Sequence, residues 1–355
     1  MSHIDMPRAI RSGEELDFER LDGYFRDALS GLDGRMEVRQ FPSGYSNLTY
    51  LISYGPEEFI LRRPPIGKKA KTAHDMKREF TILEALHPFF RYVPQPLSYC
   101  DDPEVMDSPF YIMERIKGII LRKDFPDGFS PGEEGTRRLS ENLMSVFAEL
   151  HGLDVHECGL GNFGKPENYV RRQISGWSQR YRDARTEDVP DLEEVIAWLE
   201  KHGVQDDFRP SVIHNDFKFD NVILDPAKPL EIIGVVDWEM ATLGHPLMDL
   251  GASLAYWVDR EDPVEMEAMR TLPTRAPGMP SRKELVRIYE RISGSRIEGF
   301  EFYYCFGVFR LAVIVQQIYY RYYHGQTRDE RFKSFCFLVK LLEKICLRVI
   351  STGAF

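Results

Sequence analysis

The sequence predicts an α+β chain of two lobes, a small antiparallel β lobe followed by a larger, mostly helical one. From Met36 to Pro65 apolar and polar residues alternate between turn residues, the period of antiparallel strands. From Phe125 onward apolar residues recur at helical spacing instead. A chain of 355 residues, 43% hydrophobic and 29% charged, is long enough to bury two cores. The boundary is set at Lys117, so that residues 1–117 make the first lobe with its connector and residues 118–355 the second.

Taken in order, Leu16, Leu21, Phe25 and Leu29 stand at near-helical spacing and predict a helix lying on the first lobe. The stretch MEVRQFPSGYSNLTYLISYGPEEFILRRPP then reads as strands with a turn over Tyr54 to Glu57. Gly44, Ser46 and Asn47 fall between two of those strands. Such a hairpin is either an ordinary turn or one that offers backbone N–H groups and the Ser46 and Asn47 side chains to a phosphate. His74 to Leu86 places Met76, Phe80 and Leu83 on one face, a helix carrying Glu79 and ended by His87-Pro88. Phe110 to Arg115 reads as the last strand of the lobe. Met113, Glu114 and Arg115 belong either to a plain core strand or to an extended connector whose main chain holds a nucleotide base.

In the second lobe Ser130-Pro131-Gly132-Glu133 reads as a capping box with proline at the first helical position, and Leu139, Leu143, Val146, Phe147 and Leu150 form one core stripe ending at His151. Phe300 to Tyr323 predicts a helix with Phe302, Phe306, Phe309 and Val313 on its buried face. Arg310 interrupts that face, and Arg321, eleven residues later, falls close to it. A buried arginine needs an anion, from an acidic residue of the fold or from a bound substrate. The last helix is expected over Arg331 to Ile350.

The chemistry is concentrated between Ser211 and Leu250. His214, Asp216 and Asn221 have the spacing H-x-D-x-x-x-x-N, and Val222 to Leu224 and Glu231 to Val236 read as two strands about the turn Asp225-Pro226-Ala227-Lys228-Pro229. Pairing those strands, at about 3.3 Å per residue, brings Asp237 within roughly 10 Å of Asn221. Both can then hold Mg2+ ions on one nucleotide. Phosphoryl transfer asks for such a set: metal to neutralise phosphate charge, an oriented hydroxyl, and a carboxylate beside it. Asp216 is the expected carboxylate. Lys218, two residues on, is placed to offset charge on the transferred group. Singly, each of these residues reads as a turn, cap or core residue; the ordered set carries the chemical reading.

HNDFKFDN followed by GVVDWEMATLGHPLMDLG resembles the catalytic and metal segments of the aminoglycoside phosphotransferase family, distant relatives of protein kinases. Over about Phe41 to Tyr323 the chain is most similar to the subgroup found fused to acyl-CoA dehydrogenases. The resemblance implies a bilobal protein-kinase-like fold that binds ATP, or GTP, with Mg2+ and phosphorylates a small-molecule hydroxyl acceptor. It implies that Gly44, Ser46 and Asn47 cover the nucleotide and that Arg62 stands where kinases place their phosphate-gripping lysine, paired with Glu79. Asn221 and Asp237 hold the metal, while His214 and Asp249 support the catalytic loop. Gly159 to Trp177 also resembles the subgroup, without a role that follows from chemistry. The acceptor implied is a hydroxylated acyl-CoA or similar metabolite, with Arg310 or Arg321 as anion contacts. An aminoglycoside acceptor needs an acidic wall, for which Asp259, Glu261, Asp262, Glu265 and Glu267 are available, a run that otherwise reads as a solvated face. Two rivals remain: a nucleotide-binding module without catalysis, supported by arginine in place of lysine, and a metal phosphohydrolase using His214 and Asp216.

A net charge of −10 disfavours general nucleic-acid binding. Five cysteines without a C-x-x-C pair suggest reduced thiols and a cytoplasmic protein, with neither a zinc site nor a disulfide framework. MSHIDMPRAI carries no signal-peptide pattern, and the apolar run Phe306 to Val315, interrupted by Arg310, is too short to cross a membrane.

Overall fold

The computed structural model describes residues 6–41, 47–65, 75–203 and 208–355. They gather into two compact units. One comprises Met1–Ile120, Cys158–Leu160 and Asn221–Ala241, the other Leu121–Glu157, Gly161–Asp220 and Thr242–Phe355. The segment Asn221–Ala241, which a division at Lys117 leaves in the second lobe, thus clusters with the first unit.

Asp17 caps α1 (Phe18–Ala28) by accepting from the N–H groups of Glu19 and Arg20. Leu21 and Phe25 of α1 are buried against the sheet formed by β1 (Met36–Gln40), β2 (Leu48–Tyr54), β3 (Glu57–Arg63), β4 (Pro96–Cys100) and β5 (Phe110–Glu114). Every neighbouring pair is antiparallel, in the order β1-β2-β3-β5-β4. The edge strand β4 was not anticipated, because PLSYC does not alternate cleanly. On β3, Leu61 points into the core shared with α1, so Arg62 points to the other face. There α2 (Met76–Leu86) lies, burying Met76, Phe80, Leu83 and Leu86 together with the single carboxylate Glu79.

Beyond Leu121 the second unit begins with α3 (Gly132–Gly152). Its predicted stripe, Leu139, Leu143, Val146, Phe147 and Leu150, is buried. Its predicted capping box is absent: Pro131 is the N-cap residue and no side chain caps the helix. α4 (Tyr169–Ala184), α5 (Glu193–His202) and the short β6 (Ser211–Ile213) follow. The chain then re-enters the first unit for the expected hairpin, β7 (Val222–Leu224) with β8 (Ile232–Val235), in the register Val222↔Val235 and Ile223↔Gly234. The connector after β5 lies against that hairpin. Ile119 and Leu224 exchange backbone hydrogen bonds of 2.9 and 2.8 Å, and a Cβ on Gly118 would collide with the Leu224 carbonyl.

Back in the second unit, β9 (Thr242–Gly244) pairs with β6. α6 (Pro246–Leu254), α7 (Arg282–Ser293), α8 (Phe300–Tyr323) and α9 (Phe335–Thr352) complete it. The predicted last helix from Arg331 is a 3-10 turn over Glu330–Ser334 before α9 starts. At the α6–α8 crossing Gly251 and Gly307 let the two backbones touch: a Cβ on either would run into main-chain atoms of the other helix. The 24-residue α8 corrects the expectation that its apolar run is too short, since the helix is long and apolar enough to cross a membrane. Its most apolar window is 83% buried inside the protein. Its predicted face, Phe302, Phe306, Phe309 and Val313, is buried, and so is most of the rest of its circumference.

Candidate active site

In the first unit the site is built around Arg62, a guanidinium on a central strand between β2 and β5. Its Nη1 lies 3.3 Å from Glu79 Oε1, its Nη2 donates to Asp237 Oδ1 at 2.9 Å, and Glu239 Oε2 is 3.9 Å away. Burial opposes the charge on Arg62, yet Glu79, Tyr111, Asp237 and Glu239 hold its pKa well above the ordinary value. Arg62 therefore stays a cation. Burial pushes the Glu79 carboxyl upward, with Arg62 pulling the other way. Among the described residues three carboxylates thus lie within 4 Å of the one guanidinium.

The β7–β8 hairpin delivers Asp237. Val236 N–H donates to the Asn221 carbonyl at 2.9 Å, so the ladder sets Asn221 opposite Val236 and next to Asp237. Asp237 itself adopts a left-handed backbone, φ 68°, uncommon for a side-chain-bearing residue. Its carboxylate is 34% exposed. Asn47, at the end of the predicted phosphate loop, donates its amide to Glu239 Oε2 at 2.8 Å. Gly44 and Ser46 lie outside the described residues. Glu239 was not singled out from the sequence, although its place two residues after Asp237 was on view.

In the second unit the loop after β6 is pinned by alternation. Phe217 and Phe219 are fully buried, Phe217 stacked on Phe147 of α3 at 4.1 Å and Phe219 against Trp257 at 5.7 Å. The polar residues between them, Asp216, Lys218 and Asp220, group together. Lys218 Nζ donates to Asp216 Oδ2 at 2.6 Å and lies 3.3 Å from Asp220 Oδ1. Burial opposes the Lys218 ammonium, but Asp216 and Asp220 raise its pKa overall. Burial raises the Asp220 carboxyl despite Lys218. Tyr256 lies beneath Lys218, 5.4 Å from Nζ to the ring centre, and also feels the charge of Arg310.

The loop is held from below by Asp249 of α6, which is fully buried. Its carboxylate accepts the N–H groups of His214 at 2.6 Å and Asn215 at 2.8 Å. Asn215 is left-handed, φ 65°, a conformation asparagine tolerates better than most residues. His151, expected to cap or pack at the end of its helix, lies between Asp249 Oδ2 (3.3 Å) and the Tyr289 hydroxyl (2.7 Å). His214 is buried, and its Nδ1 accepts the Asp216 N–H at 3.3 Å.

Other expectations fare differently. Glu114 N–H is committed to the Gln95 carbonyl, and Arg115 is locked to Glu58 at 2.5 Å, so neither group is idle; Met113 is buried within the sheet. Arg310 is 5% exposed and sits 5.2 Å from the Trp177 ring, which gives the Gly159 to Trp177 segment a packing role. Arg321 does not share that environment: it is exposed near the end of α8, where the helix has run out of its cover. The acidic run is mostly occupied. Asp259 and Asp262 pair with Arg282, and Glu267 with Arg270 and Arg275. Among the described residues no group of three or more histidine, cysteine or acidic side chains is arranged to hold a metal ion alone.

A family model described as "Phosphotransferase enzyme family" matches residues 37–285. Acyl-CoA dehydrogenase family member 11 of Pongo abelii is 33% identical over 342 residues, an overlap covering 94% of this chain and 43% of that protein. The chain thus spans less than half the length of that curated relative. A crystal structure from Ralstonia eutropha JMP134, provisionally described as an aminoglycoside phosphotransferase, is 28% identical with a TM-score of 0.78, covering 94% of this chain and 97% of that one. The GDP complex of an aminoglycoside 2'-phosphotransferase shares the fold at 15% identity and a TM-score of 0.62, covering 93% and 99%.

Proposed function

Since the chain belongs to the phosphotransferase enzyme family, we propose that it transfers the γ-phosphoryl group of ATP, or GTP, to a hydroxyl of a small-molecule acceptor. The observation that carries this reading is Arg62, buried between Glu79 and Asp237. A nucleotide-binding module that had lost catalysis would keep that cluster for binding but would have no need of Asp216 with Lys218 2.6 Å from it. The GDP complex of the fold relative supports a nucleotide donor.

In this reading Arg62 grips the donor phosphates, oriented by Glu79, and Asn47 belongs to the cover over them. Asn221, Asp237 and phosphate oxygens are hard ligands of the kind Mg2+ takes. When bound, Mg2+ would neutralise phosphate charge. Asp216 accepts the acceptor's hydroxyl proton as its oxygen attacks the γ-phosphorus, and the bond to the bridging oxygen breaks to release the nucleoside diphosphate. Lys218 offsets charge on the transferring group.

For the acceptor we favour a metabolite with an anionic portion, of the hydroxyacyl-CoA kind. Arg310 supports this, buried and electrostatically linked to Tyr256 beneath Lys218. The likeness to an acyl-CoA dehydrogenase family member points the same way. A polycationic aminoglycoside is the alternative, and the pairing of Asp259, Asp262 and Glu267 with arginines weighs against it.

Nucleoside diphosphate release, measured with hydroxyacyl-CoAs and with aminoglycosides in parallel, tests the acceptor class. Turnover on aminoglycosides alone would reverse the preference. Asp216→Ala is expected to lower turnover by about 10²–10⁴-fold while Mg-nucleotide binding by calorimetry persists. Asp237→Ala should abolish the Mg2+ dependence of that binding. Nucleotide binding indifferent to Mg2+ in the native protein, with no turnover on any acceptor, would favour the non-catalytic module.

A further inference from the structure

Within the second unit a cavity of about 590 Å3 opens beside the start of α6, lined by Phe208, His245, Leu247, Tyr289 and Tyr303, with the exposed Ser295 also on its wall. One side is aromatic, Phe208 packing on the His245 ring at 4.5 Å and His245 on Tyr303 at 4.9 Å, and Arg296 and Glu298 line the cavity as well.

The protons on these groups can be assigned in turn. Leu247 N–H donates to His245 Nδ1 at 3.1 Å, so that nitrogen carries no hydrogen. Burial, helped by His151, pushes the imidazole down to about 4, and it is neutral at pH 7. Its one proton is therefore on Nε2, which donates to the Tyr303 oxygen at 3.1 Å. The Tyr303 hydroxyl hydrogen is then uncommitted, with no second partner among the described residues. A buried donor of this kind is costly to leave unsatisfied. It belongs to a residue that lines an open aromatic cavity.

We propose that this cavity binds a small aromatic or heteroaromatic molecule carrying a hydrogen-bond acceptor, stacked among Phe208, His245 and Tyr303 and received by the Tyr303 hydroxyl. None of its lining residues is assigned a role in phosphoryl transfer, and the proposal does not depend on the phosphotransferase reading. Its occupancy reaches the loop after β6 by two routes. Tyr289 is hydrogen-bonded to His151, which bonds Asp249; His245 caps α6, which carries Asp249. Asp249 in turn holds the N–H groups of His214 and Asn215. A molecule filling the cavity stiffens both ends of that brace.

Acetophenone, a ring with a carbonyl acceptor, and ethylbenzene, the same shape without one, are the probes, titrated by saturation-transfer NMR against the full chain. Acetophenone is expected to bind saturably and at least fivefold more tightly than ethylbenzene. Tyr303→Phe should erase that difference while leaving ethylbenzene binding unchanged, which also shows that the variant is folded. Ser295→Trp, at an exposed position, should weaken both probes. Amide exchange at His214 and Asn215 should slow severalfold when acetophenone is bound. Absence of saturable binding, equal affinity for the two probes, or acetophenone binding indifferent to both substitutions overturns the proposal, and unchanged exchange overturns the coupling.

Discussion

Arg62 and Glu79 are each nearly inaccessible to water, at 8% and 2% side-chain exposure, and removing Arg62 leaves the Glu79 carboxyl buried beside no cation that balances it. Arg62→Met is expected to cost about 3–5 kcal/mol, because it leaves a carboxyl buried without its cation. Glu79→Gln should cost markedly less in the Arg62→Met background than in the wild type. Urea unfolding of the four proteins checks this, and equal losses in both backgrounds would show that the two residues are not coupled. This pair was legible in the sequence through the family resemblance, which pairs the cation of that strand with the glutamate of the helix after it. Asp249 was legible by the same resemblance, from HPLMDLG. Glu239 and Tyr289 were not, since their partners Asn47 and His151 lie 192 and 138 residues away and no periodicity relates them.

Among the elements, the α6–α8 crossing is the least forgiving. Gly251→Ala inserts a methyl group where the Tyr303 main chain lies, and overpacking of this kind costs about 1–3 kcal/mol or more. Gly152→Ala, at the exposed end of α3 with open space around it, should be neutral or stabilise by about 0.4–1 kcal/mol. Thermal unfolding of both variants tests the contrast; similar melting temperatures would mean that the helices can move apart freely. The β7–β8 hairpin could be read because the turn residues Asp225 to Pro229 separate two β-branched runs. The start of α3 could not: Ser130 and Glu133 have the spacing of a capping box, but Gly132 takes φ 70° and the helix begins only there. Likewise the ten-residue apolar run inside α8 understated the helix, whose polar positions are buried along with the apolar ones because α4, α5, α6 and α9 surround it.

For the molecule as a whole, two buried groups give opposite pH dependences. His245, held at about 4, stays neutral in the fold while the unfolded chain takes up a proton near 6.5, so its contribution is lost as pH falls from 6.5 to 4. Asp259, raised to about 6 by burial against the pull of Arg282, takes up its proton earlier in the fold than in the unfolded chain, so stability is gained as pH falls from 6 to 3.8. Each amounts to about 3 kcal/mol at 1.36 kcal/mol per unit, and they offset one another in the wild type. Relative to wild type, His245→Asn, which keeps a capping oxygen for α6, should therefore gain stability on acidification. Asp259→Asn should lose it. Denaturation curves at pH 7, 5.5 and 4 decide, and parallel profiles for both variants would contradict the assignment. At this scale the return of Asn221–Ala241 to the first unit has a further consequence. Val235 N–H bonds the Tyr92 carbonyl, and Leu224 pairs with Ile119, so the piece that closes this unit is made long after the rest of it. During synthesis, at ~5–20 residues per second, the first 120 residues wait on the order of ten seconds for their closing ribbon. In that interval a nascent chain exposes the groove meant for it, and that is where a chaperone, or a second unfinished copy, would first take hold.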